Sequence, residues 1–173
     1  SNMPSSMRDA LTRLSASNSV ANNTMWTAWR ALSGQVHTAF YSGSYWTVLT
    51  NLFKMQFGKY HVGVATKAGG SAAIAAQVHW SPYQPEAGST DIPMVYTTNY
   101  GASWSAPTLM NDTNLPIAAP GVAMTYDPAS AQYITLYRLN EPPALNKLPE
   151  SDHNVIAYRL QNATTASKLT GLT

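Results

Sequence analysis

Apolar and polar positions recur at a helical period near the start of the chain and at a period of two over most of the rest. In "SSMRDALTRLSA" (Ser5–Ala16), Met7, Ala10, Leu11 and Leu14 fall at i, i+3, i+4 and i+7. They make one apolar stripe, which predicts an amphipathic helix. Ser6 caps it, and Asp9 stands at N3, where its charge meets the positive helix end. Asn18, Asn22 and Asn23 break the pattern. The polar face carries both charge signs, so the helix is expected to pack on the domain or on a neighbouring chain rather than on a membrane surface.

Short β-runs follow. Thr24–Leu32, Gln35–Ser42 and Ser44–Phe53 form a meander with turns at Ser33-Gly34 and Ser42-Gly43. Lys59–Thr66 is closed by Ala68-Gly69-Gly70 and followed by the alanine-rich Ala72–Trp80. Ile92–Thr98 and Ser103–Met110 flank Asn99-Tyr100-Gly101. Gly121–Asp127 and Gln132–Leu139 flank a turn with Asp127 at i and Pro128 at i+1. His153–Leu160 is the last clear strand. Ser81–Thr90 and Asn140–Asp152 are proline-rich loops. About ten strands at roughly 8–12-residue spacing predict an all-β sandwich, barrel or propeller with a short N-terminal helix.

The chain divides into residues 1–20 (a Ser-Asn-Met start resembling a cleaved-tag remnant, then the helix), a β domain over 21–160 and a polar tail over 161–173. Trp26 and Trp29 lie on opposite faces of one strand, so both can be buried only if both sheet faces are covered.

One turn carries a recognisable signature. Thr97-Thr98-Asn99-Tyr100-Gly101-Ala102-Ser103-Trp104 has the spacing S/T-x-D/N-x-G-x-x-W. A hydroxyl and an Asx side chain two residues apart can bond backbone N–H groups within the turn. Gly101 supplies positive φ, and Trp104 tucks an apolar ring under the hairpin. The stretch resembles the Asp-box (BNR repeat) of sialidases and related six- or seven-bladed β-propellers, with Thr97 and Asn99 where the family has Ser and Asp. Ser105-Ala106-Pro107 resembles the family's continuation. The resemblance implies antiparallel propeller blades and gives Thr97, Asn99, Gly101 and Trp104 a structural role away from the catalytic mouth. A blade takes ~40–50 residues, so the chain holds roughly three. It is then a lobe of a longer protein, one part of a ring closed by a second copy, or a sandwich with one look-alike hairpin. Open sheet edges predict a homo-oligomer or a missing partner segment.

A sialidase-like active site would need an arginine triad, a Tyr/Glu pair and an Asp. Outside the helix the arginines are Arg30, Arg138 and Arg159. Asp9 and Asp127 serve a cap and a turn, and Asp112, Glu86, Asp91, Glu141, Glu150 and Asp152 sit in loops with no spacing that demands a glycosidase pair. No catalytic residue is therefore assigned. His37, His61, His79 and His153 lack metal-pair spacing, and no cofactor or metal site is expected.

Composition narrows the rest. Among 173 residues only 10% are charged, the net charge is +2 and cysteine is absent. That argues against nucleic acid and excludes a disulfide framework. No apolar run approaches ~18 residues, so no membrane span is expected. Ten Tyr and five Trp in so uncharged a chain suit an extracellular or cell-surface protein. Exposed Trp and Tyr faces stack on sugar rings, which makes Trp46, Trp80, Tyr83 and Tyr45, with Arg30, the candidate carbohydrate-binding residues. The expectation is a non-catalytic sialidase-like domain that binds a glycan or a protein. The alternatives are a glycoside hydrolase lobe completed by another segment or chain, and a structural assembly module.

Overall fold

The structure, a computed structural model, describes residues 16–21, 24–30, 35–49, 52, 61–79, 90–112, 117–140 and 154–169. All regular elements among them are strands. The expected helix lies outside the described residues except for Ala16, which opens the first strand.

Three four-stranded antiparallel sheets succeed one another along the chain. The first is β1 (Ala16–Ala21), β2 (Thr24–Arg30), β3 (Val36–Tyr41) and β4 (Trp46–Leu49), paired in that order. The second begins with β5 (Val62–Lys67) and β6 (Ser71–Ala76). A two-stranded ribbon of β7 (Val78–His79) and β8 (Thr90–Asp91) is then inserted, and β9 (Pro93–Thr97) and β10 (Thr108–Leu109) complete the sheet. The third is β11 (Ile117–Asp127), β12 (Gln132–Asn140), β13 (Asn154–Leu160) and β14 (Ser167–Lys168). Each sheet is an up-and-down meander, and the three do not close on themselves. The architecture is a propeller-like lobe.

The leading strands stand side by side, with β5 against β1 and β2 on one side and β11 on the other. Gly63 permits the second approach. A Cβ there would lie 2.9 Å from Met124 Cγ and 3.2 Å from the backbone of β11.

The sheets stack through two cores that share β6. Its residues are all buried. Ala72, Ile74 and Ala76 face the first sheet, where they meet Trp26, Ala28 and Val36. Ala73 and Ala75 face the third sheet and share a core with Tyr133, Tyr137 and Leu139. A strand buried on both faces loses the usual apolar–polar alternation, and small side chains on both sides let neighbouring sheets come close. Burial of Trp26 alone removes ~200 Å² from water, about 5 kcal/mol of hydrophobic stabilisation before entropy is counted.

Trp26 and Trp29 are 1% and 0% exposed, so both faces of β2 are covered. Residues 161–169, within the polar tail, carry a turn and β14. Gln161 N donates to Tyr133 O (2.9 Å) and Leu169 N to Ile156 O (2.8 Å).

Candidate functional site

The turn at residues 97–104 is built almost wholly from its own side chains. Thr97 is 2% exposed, and its hydroxyl donates to Asn99 Oδ1 (2.9 Å) while accepting the backbone N–H of Gly101 (3.0 Å). Asn99 Oδ1 also accepts Ser103 N (3.0 Å), and Asn99 Nδ2 donates to Ser103 Oγ (2.9 Å). Tyr100 and Gly101 take φ of 58° and 79°. A Cβ on Gly101 would strike Leu49 of β4, so the turn is seated against the first sheet. Trp104 meets Trp26 edge-on at 6.0 Å. Every polar group described here is engaged within the turn, which gives it the character of a scaffold.

The adjoining β3–β4 hairpin is built differently. Register places Tyr41 directly across from Trp46, with ring centroids 5.3 Å apart and planes at 39°. The Tyr41 hydroxyl donates to Gly43 O (2.9 Å), and Gly43 takes φ of 95° to bring that carbonyl round. Trp46 is half-buried, Tyr45 is 63% exposed and Val48 is 40% exposed. Alternation along β4 puts Trp46 and Val48 on the face turned away from the second sheet, while Leu49 packs toward it. On the other flank Tyr100, 47% exposed, leans on Phe40 at 5.7 Å. Among the described residues, the outer face at Tyr41, Trp46 and Val48 is aromatic and apolar, uncharged, and held by main-chain pairing. It can offer ring faces to the apolar side of a sugar, with phenol and indole groups as hydrogen-bonding partners. Deeper on the same face His37 stacks on Trp29 at 5.6 Å, and burial lowers the His37 pKa, which keeps the imidazole neutral at pH 7.

Tyr45 and Trp46 are neighbours in this hairpin, Trp46 against Tyr41 and Tyr45 exposed. Arg30 is not with them: it lies across from Val36, five residues along β3 from Tyr41, or roughly 16 Å, and on the opposite sheet face. Trp80 and Tyr83 lie outside the described residues. The β7–β8 ribbon that precedes and follows their segment leaves β6 at the end remote from the residue 68–70 turn.

The three strand arginines do not converge. Arg30 belongs to the first sheet, and Arg138 and Arg159 occupy opposite faces of the third. Arg159 Nε donates to Ala163 O (3.0 Å), and its guanidinium lies 3.8 Å from Asp112. Asp112 in turn accepts Ala166 N (3.2 Å). Asp127 accepts Ala129 N (3.0 Å) and Ser130 Oγ (2.6 Å), and these bonds lower its pKa. Asp91 is fully buried, and its Oδ1 accepts Asn111 Nδ2 (3.0 Å), while Asn111 Oδ1 accepts Ile92 N (2.8 Å). No group of three His, Asp or Glu able to hold a metal occurs among the described residues. The Asp91–Asn111 pair escaped sequence reasoning because its members are twenty residues apart and meet only through the pairing of β9 with β10.

With this geometry in hand, solved structures can be compared. The fold is shared with a sialidase and a fucose lectin. A Hadza microbial sialidase superposes with a TM-score of 0.55 at 10% identity, over 89% of this chain and 36% of the sialidase. A fucose lectin from Kordia zhangzhouensis, solved with methyl-fucoside, superposes with a TM-score of 0.50 at 12% identity, over 90% of this chain and 98% of the lectin. The chain thus spans about a third of the sialidase's length. No protein-family model matches the sequence, and no curated protein matches it. Among the described residues no helix is long and apolar enough to cross a membrane.

Proposed function

We propose that the chain is a non-catalytic, sialidase-like propeller lobe that binds carbohydrate through the β3–β4 hairpin, with Tyr45 and Trp46 as the stacking rings and Tyr41 as the support behind Trp46. The observation that carries this reading is the Tyr41–Trp46 pair at β4, the last strand of the first sheet among the described residues, beside the exposed Tyr45. A rigid aromatic face already fixed by cross-strand pairing loses little conformational entropy on binding. Likeness to a lectin fold supports the class of ligand, and methyl-fucoside is the first probe. The turn at residues 97–104 is read as an Asp-box that braces the hairpin through Gly101 and Leu49. An extracellular or cell-surface location goes with this reading.

The test is a glycan array followed by titration of intrinsic tryptophan fluorescence. Trp46→Ala is expected to abolish binding and Tyr45→Ala to weaken it about tenfold, the loss of ~1.4 kcal/mol typical of one aromatic contact. Trp80→Ala, Tyr83→Ala and Arg30→Ala ask whether the other sequence-predicted residues contribute. Unchanged binding in Trp46→Ala would sink the hairpin as the site. A second reading, a glycoside hydrolase lobe completed by another segment or chain, draws on the one-third span of the sialidase. It predicts hydrolysis of a fluorogenic sialoside only when that further segment is supplied.

A further inference from the structure

The third sheet has two unlike faces. One is packed on the second sheet through Tyr133, Tyr137 and Ala157. The other presents Ile134, Leu136, Ile156, Tyr158 and Leu160 in adjacent register, all five half-buried. Ala123 and Thr125 of β11, exposed, extend the same face. Within the lobe, each sheet-to-sheet junction joins apolar faces of this kind. The third sheet is the last of the stack, and no described sheet covers its outer side.

Charge then points to what covers it. Among the described residues of this face the charged ones are Asp127 and Arg138. Asp127 pairs with Gln132 at one end of β12, and Arg138 lies six residues further on, about 20 Å away. Among the described residues, one acid and one base thus stand at opposite ends of an apolar face, a self-complementary arrangement: turned end for end, each charge meets its opposite. The outer face of the first sheet offers no such match. Its described residues include none that is charged, and Thr27, Trp29 and Ala39 at its centre are already buried.

We infer that the outer face of the third sheet is the contact surface of a two-fold dimer of this chain, in which each Arg138 lies over the partner's Asp127. The interface is isologous, as a closed pair requires. The β3–β4 hairpins of both copies stay outside it, so the dimer presents two such surfaces at once and gains avidity for repeated ligands.

Sedimentation equilibrium and light scattering test this directly. The chain is expected to be a dimer, and Leu136→Lys to be a monomer with unchanged circular dichroism. Arg138→Glu, a surface change that leaves folding intact, is expected to raise the dissociation constant about tenfold by setting like charges opposite one another. Salt should weaken the parent dimer and not the Arg138→Glu dimer. Val48→Lys, on the outer face of the first sheet, should leave the dimer whole. A chain that stays monomeric at every concentration overturns the inference and assigns the face to a further segment of a longer polypeptide. A dimer split by Val48→Lys but not by Leu136→Lys or Arg138→Glu overturns it too, in favour of the first sheet. Glycan binding is read separately, so a monomer that binds glycan refutes the dimer alone.

Discussion

Thr97 and Asn99 hold each other by a 2.9 Å hydrogen bond and together accept the backbone N–H groups of Asn99, Gly101 and Ser103. Thr97→Val keeps the shape of the side chain and removes the acceptor at a position that is 2% exposed. It is expected to cost about 2 kcal/mol, the penalty for leaving N–H groups without partners. Asn99→Asp keeps Oδ1 in place and lets Ser103 Oγ donate to a carboxylate, a stronger bond, so it should be neutral or slightly stabilising. Urea denaturation of both variants checks the contrast.

Gly69 and Gly70 separate backbone conformation from crowding. Both take positive φ, 81° and 72°. A Cβ on Gly69 would have nothing within 4 Å, whereas one on Gly70 would run into the Tyr100 ring. Gly69→Ala is expected to cost ~1 kcal/mol, the strain of a side chain in the left-handed region. Gly70→Ala must also displace Tyr100, whose N–H donates to Gly70 O (2.9 Å), and should lower the melting temperature well beyond the first variant. Equal losses would show that the ring yields freely.

Asn111 joins two buried groups, the Asp91 carboxylate and the Ile92 N–H. Asn111→Ala removes both bonds at once and is expected to destabilise by roughly 2 kcal/mol, the penalty for leaving the buried Ile92 N–H without its acceptor and taking one hydrogen bond from Asp91. Asn111→Asp should be no milder, since it places a second carboxylate beside Asp91. Thermal unfolding of the two variants decides the point.

Burial pushes the Tyr137 hydroxyl up to about 12 and Tyr133 higher still. An unfolded tyrosine ionises near pH ~10. Below that pH both states keep their protons and the full stability is present. Above it the unfolded chain loses protons that the native state retains, so stability falls as pH rises from 10 toward 12. Denaturant midpoints measured across that range should drop, and Tyr137→Phe should flatten the fall. Phenolate absorbance of these two residues should appear only with unfolding.

Local turn chemistry made much of this fold legible. Gly69-Gly70, the 97–104 signature and Asp127-Pro128 each mark a hairpin that the structure contains. Less legible was β1, whose "ASNSVA" has no apolar alternation and is placed by its register with β2. The same holds for β14, two residues held by main-chain bonds to β13. Tyr45 and Trp46 stood out as aromatics, but the support of Trp46 by Tyr41 depends on strand register, which single-strand patterns do not specify. Arg30 could be named from sequence, yet its distance from that pair is a property of the sheet.

The two cores that share β6 bear on how the molecule comes apart. Lifting β6 away would expose apolar surface on both its sides at once, so neither core can open by itself. The amides of residues 72–75 should then exchange with solvent only through global unfolding and rank among the slowest in the protein. Unfolding is expected as one cooperative event across all three sheets, and a cut that removes the third sheet would also loosen the first.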